Sequence, residues 1–331
     1  MYRLECKPLA MEHIEAAKQI ALDNYLEERE YVQQLPEEPD IWDISYFVEN
    51  GYGVVALEEG RVVGYLCFYH PWSGAFDTKD SLGTFSPLHA NGSVKENRGR
   101  IYQDMYAYAA EYLAKNNIIC LGVCLYAHDE IGKRALFEYG FGMRCKDSIL
   151  KLSDFHPFQI QNVELSFREL KVEEFPLLHS MRFALNEHLK ESPCFMQSDA
   201  EDYARWIARV DAGDRRTFVA EKDGEIVAYI DVAEEGENFV TAHSKMRNIQ
   251  GAYCKPEYRG RKYYDDLLAF VVTVLREEGF EYLGVDFESY NPTANRFWNK
   301  YFAEYTNSVT RRITSESGDL LCVQQRDSVY V

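Results

Sequence analysis

No run of 18 uninterrupted apolar residues occurs in the chain, so no helical membrane span is expected. The opening stretch MYRLECKPLAMEHIEAAKQI places charges where a secretory leader would carry an apolar core, and the cytoplasm is therefore the expected location. The eight cysteines (6, 67, 120, 124, 145, 194, 254 and 322) form no CxxC pair and no dense framework, which suits reduced thiols packed as small apolar side chains. The eight histidines show no HExxH and no paired His/Cys spacing, so no metal site is expected. Basic residues are scarce: 36 Lys and Arg stand against 54 Asp and Glu, a net charge of −18. Such a field opposes nucleic acid and anionic membranes and favours a cationic small molecule or peptide, although charge kept for solubility would read the same way. Oligomeric state is not legible.

What the chain does contain is a repeat. Arg-Gly-Arg occurs at 98–100 and again at 259–261, each followed by Tyr and then Asp, at an offset of 161. VALEEGRVVGYL (55–66) matches VAEKDGEIVAYI (219–230) at 164, and LGVCLYAHD (121–129) matches LGVDFESYN (283–291) at 162. Hairpin, Arg-Gly loop, amphipathic stretch and LGV strand recur in one order, the mark of an internal duplication. Two domains of similar size are expected, 1–152 and 163–331, with 153–162 as a short, partly apolar linker between packed domains. In the first, helices are expected at 11–25, 41–50, 100–116 and 129–138, a hairpin at 53–68, and strands at 81–86, 118–126 and 142–152. In the second, helices are expected at 173–190, 199–210 (capped by Ser198 with Glu201), 261–278 and 292–300. Its strands are expected at 163–170, 217–233 (a hairpin), 249–255, 281–288 and 304–314, with a further strand within 317–331. One alignment is irregular. LGTFSP (82–87) matches QGAYCK (250–255) at an offset of 168, implying that LHANGSV (88–94) is a seven-residue insertion ahead of the first Arg-Gly loop.

A strand that ends in a basic, Gly-containing turn and runs into a helix makes a phosphate cradle, because the first amides of the helix are unclaimed and its N-terminus is partially positive. The stretch GAYCKPEYRGRKYYDDLLAFVVTVLREEGFEYLGVDFESYNPTANRFWNKYF resembles the core of the GNAT superfamily of N-acetyltransferases: strand, pyrophosphate loop, helix, strand and Asn-Pro-x-Ala helix in order. The first half resembles the same family more faintly, through its hairpin, RGR loop, LGV strand and FEYGFG. The resemblance implies an α/β (α+β) chain of two tandem GNAT-like domains, each a mixed, mostly antiparallel twisted sheet with a splayed parallel strand pair and flanking helices. It implies acetyl-CoA as acyl donor, a small-molecule or peptide amine as acceptor, activity in the second domain and a degenerate first domain. The implied coenzyme contacts are Tyr253, Cys254, Arg259, Gly260, Arg261, Lys262, Tyr263 and Tyr264, with Asn291 toward the pantetheine arm and Arg296 reaching a phosphate.

The departures from the family pattern are specific. Its loop reads Arg/Gln-x-x-Gly-x-Gly/Ala; counted from Arg259, Lys262 and Tyr264 stand at the glycine and small-residue positions, and counted from Arg98, Ile101 and Gln103 do. A lysine ammonium offers phosphate a substitute contact; an isoleucine does not. Alternation along LGVDFES puts Asp286 and Glu288 on one face, where the first half has Cys124 and Tyr126, so a carboxylate pair exists only in the second half. Glu288 is the first candidate general base and Asp286 the second, against a structural role for both. The family's acid tyrosine falls on Trp298; Tyr301 is the leading substitute, with Tyr305 and Tyr290 nearby. The acidic stretch EEGEN (234–238) is either a docking point for an ammonium group or a solvated loop. An alternative function is a non-catalytic acyl-CoA-binding or regulatory tandem protein, and a third reading keeps catalysis with another acyl or aminoacyl donor.

Overall fold

The computed structural model describes residues 4–50, 52–78, 81–156, 162–198, 200–234 and 236–313. The expected strand within 317–331, and half of the expected linker (157–161), lie outside them. The chain divides into two compact units: the first comprises 1–146, 238–240 and 305–331, the second 147–237 and 241–304.

The first unit contains β1 (Leu4–Pro8), α1 (Ile14–Tyr31), α2 (Tyr46–Glu49), β2 (Gly53–Glu58), β3 (Arg61–Cys67), β4 (Trp72–Ser73), β5 (Leu82–Ser86), β6 (Asn91–Ser93), α3 (Arg98–Lys115), β7 (Ile118–Tyr126), α4 (Glu130–Glu138) and the start of β8 (Gly142–Lys151). Strands β1, β2, β3 and β6 form one antiparallel sheet, while β5 runs parallel to β7. Helix α1 runs six residues past its expected end, since Leu26–Tyr31 (LEEREY) is rich in good helix formers and Tyr25 anchors the turn by donating to Pro36 O at 2.6 Å. Helix α2 is far shorter than expected, because Asp43 accepts from Ser45 N–H at 3.1 Å and holds a turn ahead of it. All nine residues of β7 are buried, Cys120 and Cys124 among them, as small apolar fillers should be.

The second unit contains the end of β8, β9 (Leu165–Glu169), α5 (His179–Lys190), α6 (Ala200–Asp211), β10 (Arg216–Lys222), β11 (Glu225–Ala233), β12 (Met246–Cys254), α7 (Tyr263–Glu277), β13 (Tyr282–Glu288), α8 (Pro292–Trp298) and the start of β14 (Ala303–Arg312). Its sheet order is β13-β12-β11-β10-β9, antiparallel except for β12 beside β13. Helix α7 buries Leu267, Leu268, Val271, Val272 and Leu275 against Ala228, Ile230 and Val285 on one face. On the other, Tyr229 and Tyr253 meet Phe175, Met181 and Val210. That two-faced burial makes the sheet the rigid carrier of whatever is mounted at its strand ends. The expected Ser198 cap differs: its hydroxyl donates to Asn186 Oδ1 at 2.6 Å.

Two expectations are corrected. The later part of the closing strand of each repeat is counted with the other unit. From Tyr305 onward β14 belongs to the first, pairing antiparallel with β7 (Val309 opposite Val123) and burying Val309 in that core. Residues 147–151 belong to the second, where Leu150 and Leu152 join the α7 core. The domains are therefore not the contiguous 1–152 and 163–331 expected. The seven-residue insertion is also absent. Strand registers equate Phe85 with Asn248, through Gly122 and Gly284, and Ser93 with Cys254, through Gly64 and Ala228. Between those points the first repeat is longer by only two residues. Where β12 runs on through one irregularity at Gln250, the first repeat breaks into β5, a 3₁₀ turn at Leu88–Ala90, and β6.

Candidate functional site

In the second unit β12 and β13 pair from Met246–Tyr282 to Ile249–Val285 and no further. Beyond that point β12 stays with β11 as far as Ala228–Cys254, so the two parallel strands part. The cleft beyond them has a volume of about 710 Å³ and is lined by Ala252, Tyr253 and Cys254 from β12, the loop before α7, the start of α7, and Asn291 to Lys300. Within that loop Gly260 and Lys262 both have positive φ (75° and 63°). The glycine takes this conformation freely; the lysine, at the family's glycine position, takes it at a cost. The first bond of the α7 ladder runs from Asp266 N–H to Lys262 O at 3.0 Å, leaving the amides of Tyr263, Tyr264 and Asp265 ahead of it. Arg259, Lys262, Arg296 and Lys300 line the cleft against one carboxylate, Asp265. In a chain of net charge −18 this is a local reversal of sign suited to an anion.

Of the ten residues expected at the coenzyme, nine line this cleft; Arg261 does not, and its carbonyl accepts from Asn162 Nδ2 at 3.2 Å. Arg259 donates through Nε to Cys254 O at 2.9 Å with its guanidinium 5.3 Å from the Tyr253 ring, which fixes the loop to the strand. Burial pushes the Cys254 thiol up to about 11, so it stays protonated. Tyr263 is buried and hydrogen bonded to Glu164 (2.8 Å) and Lys222 (3.0 Å). Asn291 caps α8, its Oδ1 accepting from Thr293 N–H (3.1 Å) and Ala294 N–H (3.3 Å). Tyr264 packs its ring 4.8 Å from that of Phe297, and its hydroxyl is buried with no hydrogen-bond partner among the described residues. Sequence reasoning missed Leu185 and His188, from a helix with no motif, and Tyr258, Thr293 and Lys300, which lie within or beside the motif stretches but were not singled out.

The expected catalytic residues are not on this cleft. Tyr301 donates its hydroxyl to Asp265. Burial, then that carboxylate, hold its proton on. Asp286 lines a second, polar cavity of about 370 Å³ at the paired end of β12 and β13, together with Asp147, Trp206, Arg209, Asp214, Arg215, Glu237, Asn248 and Gln250. Its carboxyl is reached by solvent yet walled in by protein. That desolvation, and then Glu237, Asp147 and Glu288, push its pKa well above the usual carboxylate range. The EEGEN stretch thus contributes Glu237 to the wall. Glu288, two residues on along the same face, lines neither cavity; its charge, after burial, raises the Cys194 thiol.

The matching place in the first unit is closed. Strands β5 and β7 pair as far as Ser86–Val123. There Asn91 Nδ2 donates to Ser86 Oγ (3.2 Å), Pro87 O (3.2 Å) and Cys124 O (2.9 Å), while Tyr102 donates to Asn91 Oδ1 at 3.0 Å. The space left in the strand gap itself is about 10 Å³, room for a water at most, while a separate cavity of about 380 Å³ lies outside it between α1 and residues 93–96. Helix α3 starts at Arg98, so the first Arg-Gly-Arg is a helical turn rather than a loop. Arg98 is buried, bonded to Glu27 at 2.8 and 3.2 Å and 3.3 Å from Asp129.

A parallel pair that parts in front of a helix N-terminus, in a mixed sheet flanked by helices, makes a cleft able to hold an extended anionic ligand. Residues 182–303 match the model of the acetyltransferase (GNAT) family. No curated protein sequence matches it. The fold is shared with a GCN5-related N-acetyltransferase from Sphaerobacter thermophilus, at 13% identity over 93% of this chain and 95% of that one, with a TM-score of 0.57. It is shared also with a GCN5-related glucosamine N-acetyltransferase region of a fungal multi-domain GH3 beta-N-acetylglucosaminidase, at 12% identity over 94% of this chain and 38% of that one, with a TM-score of 0.54. No described helix is long and apolar enough to cross a membrane.

Proposed function

We propose that the second unit transfers an acetyl group from acetyl-CoA to a primary amine, and that the first unit binds no coenzyme. The observation that carries this reading is the cationic cleft that opens where β12 and β13 part, directly ahead of the unclaimed amides of α7. In it the diphosphate lies on the amides of Tyr263 to Asp265, with Lys262 and Arg259 beside it. The pantetheine arm runs along Ala252–Cys254, and Arg296 and Lys300 face the remaining phosphate.

The acceptor enters from the second cavity. Asp286 is the better supported base: it lines that cavity, and burial with Glu237, Asp147 and Glu288 nearby raises its affinity for a proton above that of an ordinary aspartate. The freed amine attacks the thioester carbonyl, the C–N bond forms, the C–S bond breaks as coenzyme A leaves as thiolate, and the extra proton on the new amide nitrogen passes to solvent. Tyr264, which lines the cleft, is the candidate to protonate that sulfur and regains its proton from solvent, since Tyr301 is off the cleft with its hydroxyl committed to Asp265. Incubating the full chain with acetyl-CoA and an amine library, with products read by mass spectrometry, tests the reading. An acetylated amine that disappears with Asp286→Asn supports it. A coenzyme binder without turnover is the rival, favoured by Trp298, which is buried where the family carries its acid tyrosine. The rival predicts saturable acetyl-CoA binding and no acetylated product.

A further inference from the structure

Six Tyr, Phe and Trp rings line the cationic cleft, at positions 253, 258, 263, 264, 297 and 298. Five are already covered. The Arg259 guanidinium lies 5.3 Å from the Tyr253 ring, Lys222 Nζ 5.5 Å from the Tyr263 ring, and Lys300 Nζ 5.5 Å from the Phe297 ring. Tyr264 packs against Phe297 and Trp298 at 4.8 and 6.0 Å, and Trp298 is buried. Tyr258 differs. It is half-buried, and one side of its ring lies on Tyr263, with centroids 6.0 Å apart and planes inclined by 29°. No second ring and no cation meets it among the described residues. The ring is also held at its tip: the hydroxyl donates to Glu225 Oε2 at 3.2 Å, and Glu225 is paired with Lys255 in the same turn. A flat surface fixed in this way loses little freedom when a second flat ring is laid on it.

The partners of Tyr258 also give its side of the loop. Glu225 begins β11, and Tyr263 accepts from Lys222 at the end of β10 at 3.0 Å, so Tyr258 stands away from the opening between β12 and β13. The pantetheine arm takes that opening, and the diphosphate follows it onto the amides of α7. Arg296 and Lys300 approach from α8 and the turn after it, on the other side of the cleft. The ribose of coenzyme A carries its phosphate and its base on opposite faces, so a phosphate drawn to Arg296 and Lys300 turns the base toward Tyr258. From this arrangement we infer that Tyr258 is the platform for the adenine of the donor, held by base–aromatic stacking. The inference rests on the reading of the cleft as a coenzyme A site.

The test is calorimetry on the full chain with acetyl-CoA and with S-acetyl-phosphopantetheine, which keeps the arm and lacks the nucleotide. Tyr258→Leu, which keeps apolar bulk without a flat face, is expected to weaken acetyl-CoA binding about ten-fold and to leave S-acetyl-phosphopantetheine unchanged, while Tyr258→Phe retains most of the affinity for both. Equal weakening of the two ligands would make Tyr258 a brace of the turn, and unchanged acetyl-CoA affinity would put the base elsewhere; either result overturns the inference. A comparison on the wild type needs no variant and survives a substitution that fails to fold. There the adenosine bisphosphate half of the coenzyme is expected to bind about ten-fold more tightly than the matching ribose bisphosphate without the base, and equal binding overturns the inference. Failure of the wild type to bind either acetylated ligand sinks the coenzyme reading and the inference with it, whereas binding of both with no effect of Tyr258→Leu sinks the inference alone.

Discussion

Lys262 offers a measurement in which stability and affinity respond to different atoms of one side chain. Its backbone is left-handed at φ 63°, directly ahead of α7, at the position where the family's loop carries glycine. A residue with a Cβ pays about 1–2 kcal/mol there. Glycine avoids that cost but loses about 0.5–1 kcal/mol through its freer unfolded chain, so Lys262→Gly is expected to stabilise the protein by about 0.5–1 kcal/mol. Lys262→Ala keeps the Cβ, and with it the cost of the left-handed turn, and is the reference for the glycine variant. Affinity for acetyl-CoA sorts the variants differently. A partly exposed ammonium on a phosphate contributes about 1 kcal/mol, so alanine should weaken binding about five-fold. Glycine loses the same ammonium but opens the main chain to the phosphate, and should weaken binding less. Urea unfolding reads the first quantity and calorimetry the second. Alanine binding as tightly as the wild type would remove the lysine from the phosphate site, and glycine no more stable than alanine would show the left-handed turn to be free of cost.

Four further outcomes are expected. Arg98→Ala leaves Glu27 and Asp129 around an empty buried site and should destabilise the first unit by about 3–5 kcal/mol in chemical denaturation, with acetyl-CoA affinity unchanged. Asp286→Asn should abolish acetylation while raising the melting temperature at pH 7. Here the sign follows from the raised folded pKa. The carboxyl costs stability as pH climbs from the ordinary aspartate value through the folded one, so the gain of the variant vanishes in acid. Glu288→Gln removes a like charge from Asp286 and should shift the acid limb of the pH–rate profile to lower pH with the plateau rate retained; loss of the plateau would instead make Glu288 the base. Tyr264→Phe should lower kcat with little change in acetyl-CoA affinity, and an unchanged kcat would remove it from proton donation.

Local pattern carried the elements well, because each expected helix and strand depends on periodicity and breakers that neighbours in the chain supply. The β2–β3 and β10–β11 hairpins keep even the same irregularity, after Ala56 and after Ala220, at the offset read from the sequence. What the sequence hid was the pairing of distant segments. Matching LGTFSP to QGAYCK by their letters slid the strand by five residues, since alternation reports which face a residue takes but not which partner it meets. The same blindness assigned 303–312 to the second domain, though its apolar face belongs with β7. The coenzyme loop was legible because its residues are contiguous. The polar cavity was not, because Arg215, Asn248, Glu237 and Asp286 come from four separate segments with no shared spacing.

The two Arg-Gly-Arg segments thus share letters and an offset but not a structure. In the second unit eight residues, 255–262, separate β12 from α7, and Arg259 and Lys262 lie exposed on the cleft they form. In the first only 94–97 separate β6 from α3; the triplet has been drawn into the helix, its first arginine neutralised by Glu27 and Asp129 and its strand gap stitched by Asn91. An arginine held by two carboxylates has no charge left to offer a phosphate, and a helix extended by one turn carries its free amides away from the strand end where a phosphate would dock. Restoring a coenzyme site to the first unit would therefore need more than a glycine at Ile101. It would need the helix shortened, the Asn91 stitch cut and both carboxylates removed, and each change strips partners from groups now buried.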